Sequence, residues 1–257
     1  MIFNSVKNLF LALFIMEIYL GVTFSDGFDH SHSTYAIVLN TYVKDGLVNY
    51  ASLKSNPKQL DLYLIRLSSV TEVDFKQWTR EQQLAYLINL YNAQTLRLII
   101  DHYPIRSIKD IRDPWDRNVV SLFGNKISLN TLEHEIIKKR YDEPRVHFAL
   151  VCAAMGCPKL PEQPFIASRL SMQLDELGRN FLDESDKNSV DLKSQTIYLS
   201  QIFQWFQEDF VKKSGSVIAF IRPYLSPQVS RELGGGNFMI IYTKYDWSLN
   251  DIASKDL

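Results

Sequence analysis

The stretch TREQQLAYLINLYNAQTLRLIIDHYP, residues 79–104, carries the longest regular pattern in the chain. Thr79 followed by Gln82 matches a capping box, in which side chain and backbone satisfy each other's orphan groups at a helix start. Leu84, Leu87, Ile88, Tyr91, Leu98 and Ile99 then recur at helical spacing. Tyr103-Pro104 stops the pattern, because the residue before a proline is pushed out of helical backbone. The apolar stripe is wide, so this segment predicts a core helix ending near His102. Thr95 interrupts the stripe, and Asn89 and Asn92 stand beside it as unusual polar residues.

On the N-terminal side, Tyr35, Val38, Leu39, Tyr42 and Val43 predict a first helix, with Gly46 just beyond it as a C′ residue would be. Asn56-Pro57 opens a second helix through Leu60, Leu62, Leu64, Ile65 and Leu67. On the C-terminal side, Val119–Phe123 and Lys126–Leu129 flank Gly124-Asn125 as a hairpin with a tight turn. Asn130 then caps a helix running to about Arg140. The run Val146–Cys152 is almost continuously apolar and fits a central strand buried on both faces.

Beyond Pro158, Pro161 and Pro164 the pattern is a loop, then helical from Ala167 to Leu182, then hairpin-like around Val190 and Ile197–Leu199. A short aromatic helix follows, with Trp205 and Phe206 assigned, like Trp247, to the core. Ser216 starts another helix, Gly234-Gly235-Gly236 marks a break, and Phe238–Tyr242 reads as the last strand. Helices and short strands without a βαβ rhythm predict α+β, with a small, mostly antiparallel sheet and packed helices in one domain over residues 26–257.

The chain has 257 residues, 46% of them hydrophobic and 22% charged, with a formal net charge of −1. A domain of this size buries roughly 70% of its unfolded surface, so it requires neither a disulfide scaffold nor a structural metal. The near-zero charge offers no basic footprint for nucleic acid and no polybasic anchor for a membrane.

The N-terminus departs from this plainness. Lys7 precedes the apolar run Leu9–Met16, and Thr23 and Ser25 stand at the spacing of a cleavage site before Asp26. This is the order of a secretory signal over residues 1–25, and Glu17 argues against a membrane span. The mature protein is thus expected outside the cytoplasm, periplasmic or extracellular. It has no membrane contact unless the segment is an uncleaved anchor.

Chemically suggestive residues concentrate between Asn130 and Pro158. Cys152 and Cys157 are the two cysteines of the chain, and in an oxidising compartment their C-x4-C spacing allows a local disulfide. With His134 and His147 they also make a donor set of the kind zinc accepts, although the spacing matches no standard finger. No metal or cofactor is expected. A third reading makes Cys152 a nucleophile, at a strand end beside small residues whose amides, Ala153 to Gly156, could stabilise an oxyanion.

A thiol nucleophile needs a base. In a regular strand His147 and Cys152 would face opposite sides, so His134 is preferred. Glu133 reads as a capping residue for the helix begun at Asn130, and a polar partner for the imidazole is sought among Asn89, Asn92, Asp246 and Asn250. His30 and His32 read as tail residues, and His102 as a favourable charge at a helix C-terminus.

Four ordered motifs, Leu84–Ala93, Ile127–His134, His147–Cys152 and Tyr245–Asn250, resemble the domain-of-unknown-function 547 family over about residues 35–250. That family occurs in exported bacterial proteins and in plant proteins that join it to a coiled coil. The resemblance implies no agreed substrate. It does place Asn92, Glu133, His134, His147 and Cys152 on the family pattern. In plant members the position matching Cys157 is often not cysteine, which implies a free thiol at Cys152. The combined expectation is a thiol-dependent acyl-transfer enzyme or hydrolase of papain-like or transglutaminase-like character, acting on an amide or ester of a small molecule or peptide. The alternative is a non-catalytic extracytoplasmic binding domain with a structural polar network.

Overall fold

The computed structural model describes residues 27–253, and the signal-peptide reading of residues 1–25 lies outside them. Helix α1 (Ser33–Tyr42), the hairpin β1 (Val43–Lys44) and β2 (Leu47–Val48), and helices α2 (Tyr50–Ser55), α3 (Lys58–Ser68) and α4 (Glu72–Gln77) precede α5 (Arg80–His102). The hairpin β3 (Val120–Leu122) and β4 (Asn125–Ile127) follows, then a π-helix, Thr131–Lys138, continued by α6 (Lys139–Tyr141), and a 3₁₀ turn, Pro144–Phe148. Helix α7 (Leu170–Asp183), strands β5 (Ser189–Asp191) and β6 (Thr196–Leu199), helices α8 (Ile202–Trp205), α9 (Gln207–Ser214), α10 (Val217–Ile221) and α11 (Pro227–Gly235), and strand β7 (Met239–Tyr242) come last. No described helix is long and apolar enough to cross a membrane.

Helix α5 forms where its pattern predicts. Thr79 Oγ1 accepts from the Gln82 amide at 3.2 Å, and Gln82 Oε1 accepts from the Thr79 amide at 2.9 Å, so both halves of the capping box are made. Every residue from Leu84 to Leu96 is buried, which means that the helix is surrounded rather than lying on a surface. Each fully buried Leu or Ile contributes roughly 1.5–3 kcal/mol. The polar residues of α5 must then find partners inside the protein. Asn89 pairs with both backbone groups of Phe165, and Asn92 donates to the Ala149 carbonyl and accepts from the Val151 amide.

The architecture is α+β, with its strands divided among separate small sheets. β1–β2 and β3–β4 are antiparallel hairpins, and the third sheet has the order β5-β6-β7 with β6 and β7 parallel. The single, mostly antiparallel sheet expected from the sequence is therefore dispersed. A papain-like or transglutaminase-like frame is not confirmed by this topology.

Several local expectations are corrected. Asp45 and Gly46, with φ of 52° and 83°, form the turn of the first hairpin, so Gly46 is no helix terminus. Phe123 and Gly124, at 51° and 77°, make the second turn one residue earlier than expected. Gly234 and Gly235 lie inside α11. His32 is a core residue, 1% exposed, with Nδ1 2.7 Å from the Tyr63 hydroxyl.

The largest correction concerns Val146–Cys152. It forms no strand: its first residues complete the 3₁₀ turn, and the rest run without regular structure to Cys152. Buried backbone needs hydrogen-bond partners, and a strand would take them from neighbouring strands. Here the Asn92 side chain supplies them at 2.8 and 2.9 Å. On the opposite side Gly178 of α7 lets Phe148 pack close, since a Cβ there would lie 3.1 Å from that ring.

Candidate functional site

A cavity of about 200 Å³ opens where the π-helix, the segment ending at Cys152, helix α8 and the Tyr245–Trp247 strip meet. Glu133, His134, His147, Cys152 and Cys157 all line it. The alternation that kept His147 from Cys152 does not apply, because no strand exists there. Asn92 stays outside the lining. It holds the backbone at residues 149 and 151, so its place is to position the approach to Cys152.

The π-helix explains why Glu133 and His134 share the cavity. Hydrogen bonds to the fifth residue give a wider turn than an α-helix, so consecutive side chains diverge less and Lys138 falls above Glu133. The cap expected of Asn130 and Glu133 is not made. Ser128 Oγ accepts from the Thr131 backbone amide at 3.0 Å, while Asn130 Nδ2 donates to Asp116 Oδ1 at 2.7 Å. Glu133 is 8% exposed, and its charge together with burial pushes the Tyr91 hydroxyl well above the ordinary phenol range, burial being the larger cause. Glu135 points away and pairs with Lys139.

His147 has the most defined setting of the imidazoles here. Its ring is 3% exposed and stacks on Phe206 with centroids 3.8 Å apart. Nε2 lies 2.8 Å from Asp209 Oδ2, and Nδ1 is buried without a hydrogen-bond partner. Donation from Nε2 to a carboxylate fixes the tautomer in which Nδ1 carries a free lone pair. Burial lowers the His147 pKa, with Asp209 and Glu133 opposing. Burial would raise the Asp209 carboxyl, but hydrogen bonds from His147 and Lys138 outweigh it and bring it down to about 2. Lys138 Nζ reaches the same Oδ2 at 2.9 Å. The pair is therefore a neutral imidazole held by an ionised carboxylate.

The spacing left a disulfide, a zinc site and a free thiol open, and the structure joins Cys152 to Cys157, with Cα atoms 6.3 Å apart. The free thiol implied by the resemblance is thus replaced by a disulfide, because the 153–157 turn brings the second sulfur back to the first. Among the described residues no group of three or more His, Cys, Asp and Glu is placed to hold a metal ion. Cys152 is partly buried and Cys157 is 3% exposed. The Tyr245 hydroxyl lies 3.1 Å from each sulfur, and the Cys152 amide donates to Cys157 Sγ at 2.9 Å. Gly156 makes this possible, since a Cβ there would come 2.9 Å from the Tyr245 ring.

The amides expected as oxyanion donors are partly committed. Met155 and Gly156 donate to the Ser248 and Asp246 carbonyls, each at 2.8 Å. Trp205 is not core: it is 47% exposed and, with Phe206 and Trp247, walls the cavity. Among the described residues none of Asn89, Asn92, Asp246 and Asn250 hydrogen-bonds His134, the imidazole for which they were considered. The imidazole with a carboxylate partner is instead His147, whose contact with Asp209 spans 62 residues of chain and leaves no local mark in the sequence. Tyr245 could have been found, since it opens the last of the quoted motifs.

Residues 75–182 match the family model described as "Protein of unknown function, DUF547". The motifs Leu84–Ala93, Ile127–His134 and His147–Cys152 fall within that segment, and Tyr245–Asn250 lies beyond it. Nothing matches the chain among curated proteins or among solved structures. Over residues 75–182, which hold Glu133, His134, His147, Cys152 and Cys157 as well as the Asn92 brace, the chain is similar to the DUF547 family.

Proposed function

We propose that the protein, exported and in its dithiol form, is a cysteine-nucleophile hydrolase or acyltransferase acting on an amide or ester. The observation that carries this reading is the His147–Asp209 pair, buried against the cavity that holds Cys152, with the imidazole Nδ1 unpartnered. A nucleophile, a base and an orienting carboxylate are the parts such chemistry requires. His147 replaces His134 as the favoured base. An orienting carboxylate is what His134 lacks.

In this mechanism His147 Nδ1 takes the Cys152 thiol proton. The thiolate forms a bond to the substrate carbonyl carbon, and the carbonyl electron pair moves to oxygen, with the Tyr245 hydroxyl as the donor nearest the sulfur. Collapse breaks the bond to the amine or alcohol, which leaves with the proton from Nδ1. Water, or a second amine or alcohol, then removes the acyl group from sulfur. The aromatic walls and the small volume favour a compact or planar acyl group.

The test is alkylation of the reduced protein with iodoacetamide across pH. Wild type is expected to react at Cys152 below the pH at which an ordinary thiol ionises, and Asp209→Asn to slow that reaction by about 10²-fold. Equal rates in wild type, Asp209→Asn and His147→Ala contradict the proposal. A second reading, a non-catalytic binding module, is favoured by the disulfide itself, which leaves no thiol. It predicts that reduction changes nothing in reactivity.

A further inference from the structure

We infer that the Cys152–Cys157 bond is an exchangeable disulfide, opened when a low-molecular-weight thiol enters the cavity, attacks Cys152 and expels Cys157. The exchange stands on its own geometry, and its consequence, that it switches Cys152 on, rests on the proposed function. Three observations carry it.

The first is asymmetry of access. Both cysteines line the cavity, but Cys152 is partly exposed whereas Cys157 is 3% exposed, so an attacking thiolate meets Cys152 first. The second is the leaving group. Cys157 Sγ already receives the Cys152 amide at 2.9 Å and the Tyr245 hydroxyl at 3.1 Å. Both donors would stay on the sulfur as it becomes a thiolate, and a stabilised thiolate leaves faster.

The third is that the bond is not needed as a staple. It closes a separation of five residues in a chain with its own large core. Crosslinks over short loops remove less chain entropy than those over long ones. The turn is held independently: Met155 and Gly156 are bound to Ser248 and Asp246, Cys157 N donates to the Ala154 carbonyl at 3.0 Å, and Lys187 Nζ holds the Cys157 carbonyl at 2.7 Å. The loop can therefore open its sulfur bond and keep its shape.

A small thiolate bonds to Cys152 Sγ as the Cys152–Cys157 bond breaks, and Cys157 departs with the electron pair. A second small thiolate attacks the sulfur of the first, releasing a small-molecule disulfide and the Cys152 thiolate. Two thiols are oxidised and one protein disulfide is reduced.

The experiment exposes the native, oxidised full chain to mixtures of reduced and oxidised glutathione, with acid quenching, mass measurement and peptide mapping. Expected are reduction without denaturant, a mixed disulfide mapping to Cys152, and about tenfold slower reduction in Tyr245→Phe, which keeps the ring but loses the sulfur donor. A bond that resists glutathione until the protein is unfolded, or an adduct on Cys157, overturns the inference. Exchange that proceeds while reduced Cys152 stays inert to an activated ester would sink the enzyme reading and leave the exchange intact. If Cys157→Ser hydrolyses that ester while the native disulfide refuses glutathione, the reverse holds.

Discussion

His134 and His147 line the same cavity, and both face Phe206, yet the protein treats them differently. The His147 ring lies 3.8 Å from Phe206, is almost fully buried and is tied to Asp209. The His134 ring lies 6.2 Å from Phe206, is half-buried and has no hydrogen-bond partner among the described residues. One imidazole is held in a fixed tautomer and orientation by a carboxylate, the other has only the looser ring contact. A base must be aimed before its proton affinity matters. Anchorage by a carboxylate is a better guide to the base than the strand alternation that set His147 apart from Cys152.

The sharpest way to break the comparison is substitution of each ring in the reduced protein. His147→Ala is expected to lower hydrolysis of an activated ester by about 10³-fold, the range of a general base. His32 offers a second contrast, because it is also buried but meets the Tyr63 hydroxyl rather than a carboxylate. Burial, more than its neighbours, lowers its pKa from 6.5 to about 4, with Asp29 opposing and His30 assisting. Between those values the unfolded chain binds a proton that the folded chain does not, so stability is full above pH 6.5 and falls as the pH drops toward 4. The loss is about 3 kcal/mol at its end. His147 acts in the same direction. Urea midpoints across this range check the prediction, and His32→Gln should flatten the slope.

A smaller effect sharpens the role of the brace behind His147. Asn92→Ala strands the Ala149 carbonyl and the Val151 amide in the interior and is expected to cost about 2 kcal/mol, read from denaturant midpoints. The smallest effect is that of His134→Ala, expected to change ester hydrolysis by less than about threefold, as an unanchored ring contributes little of a base's effect. A loss as large as that of His147→Ala would reverse the assignment.

The contrast extends to what could be read from residues alone. Helix α5 was legible to its cap because Thr79, Gln82 and its apolar spacing are local signals. The segment at 146–152 was not, since a short apolar run looks alike as buried strand or as irregular chain. What decides between them is Asn92, 57 and 59 residues away, taking the place of a neighbouring strand. The π-helix has no sequence signature that separates it from an α-helix, so Glu133 was assigned to a cap it does not make. The cavity's composition was legible, as Glu133, His134, His147 and Cys152 were all singled out. Its wiring was not, because Asp209 reaches His147 through folding rather than spacing.

The most direct test is the pH dependence of Cys152 alkylation in the reduced protein, compared among wild type, His147→Ala and His134→Ala. Wild type and His134→Ala are expected to share a reactive thiol at neutral pH, and His147→Ala to shift the profile up to that of an ordinary cysteine. A profile moved by His134→Ala and untouched by His147→Ala would contradict that expectation.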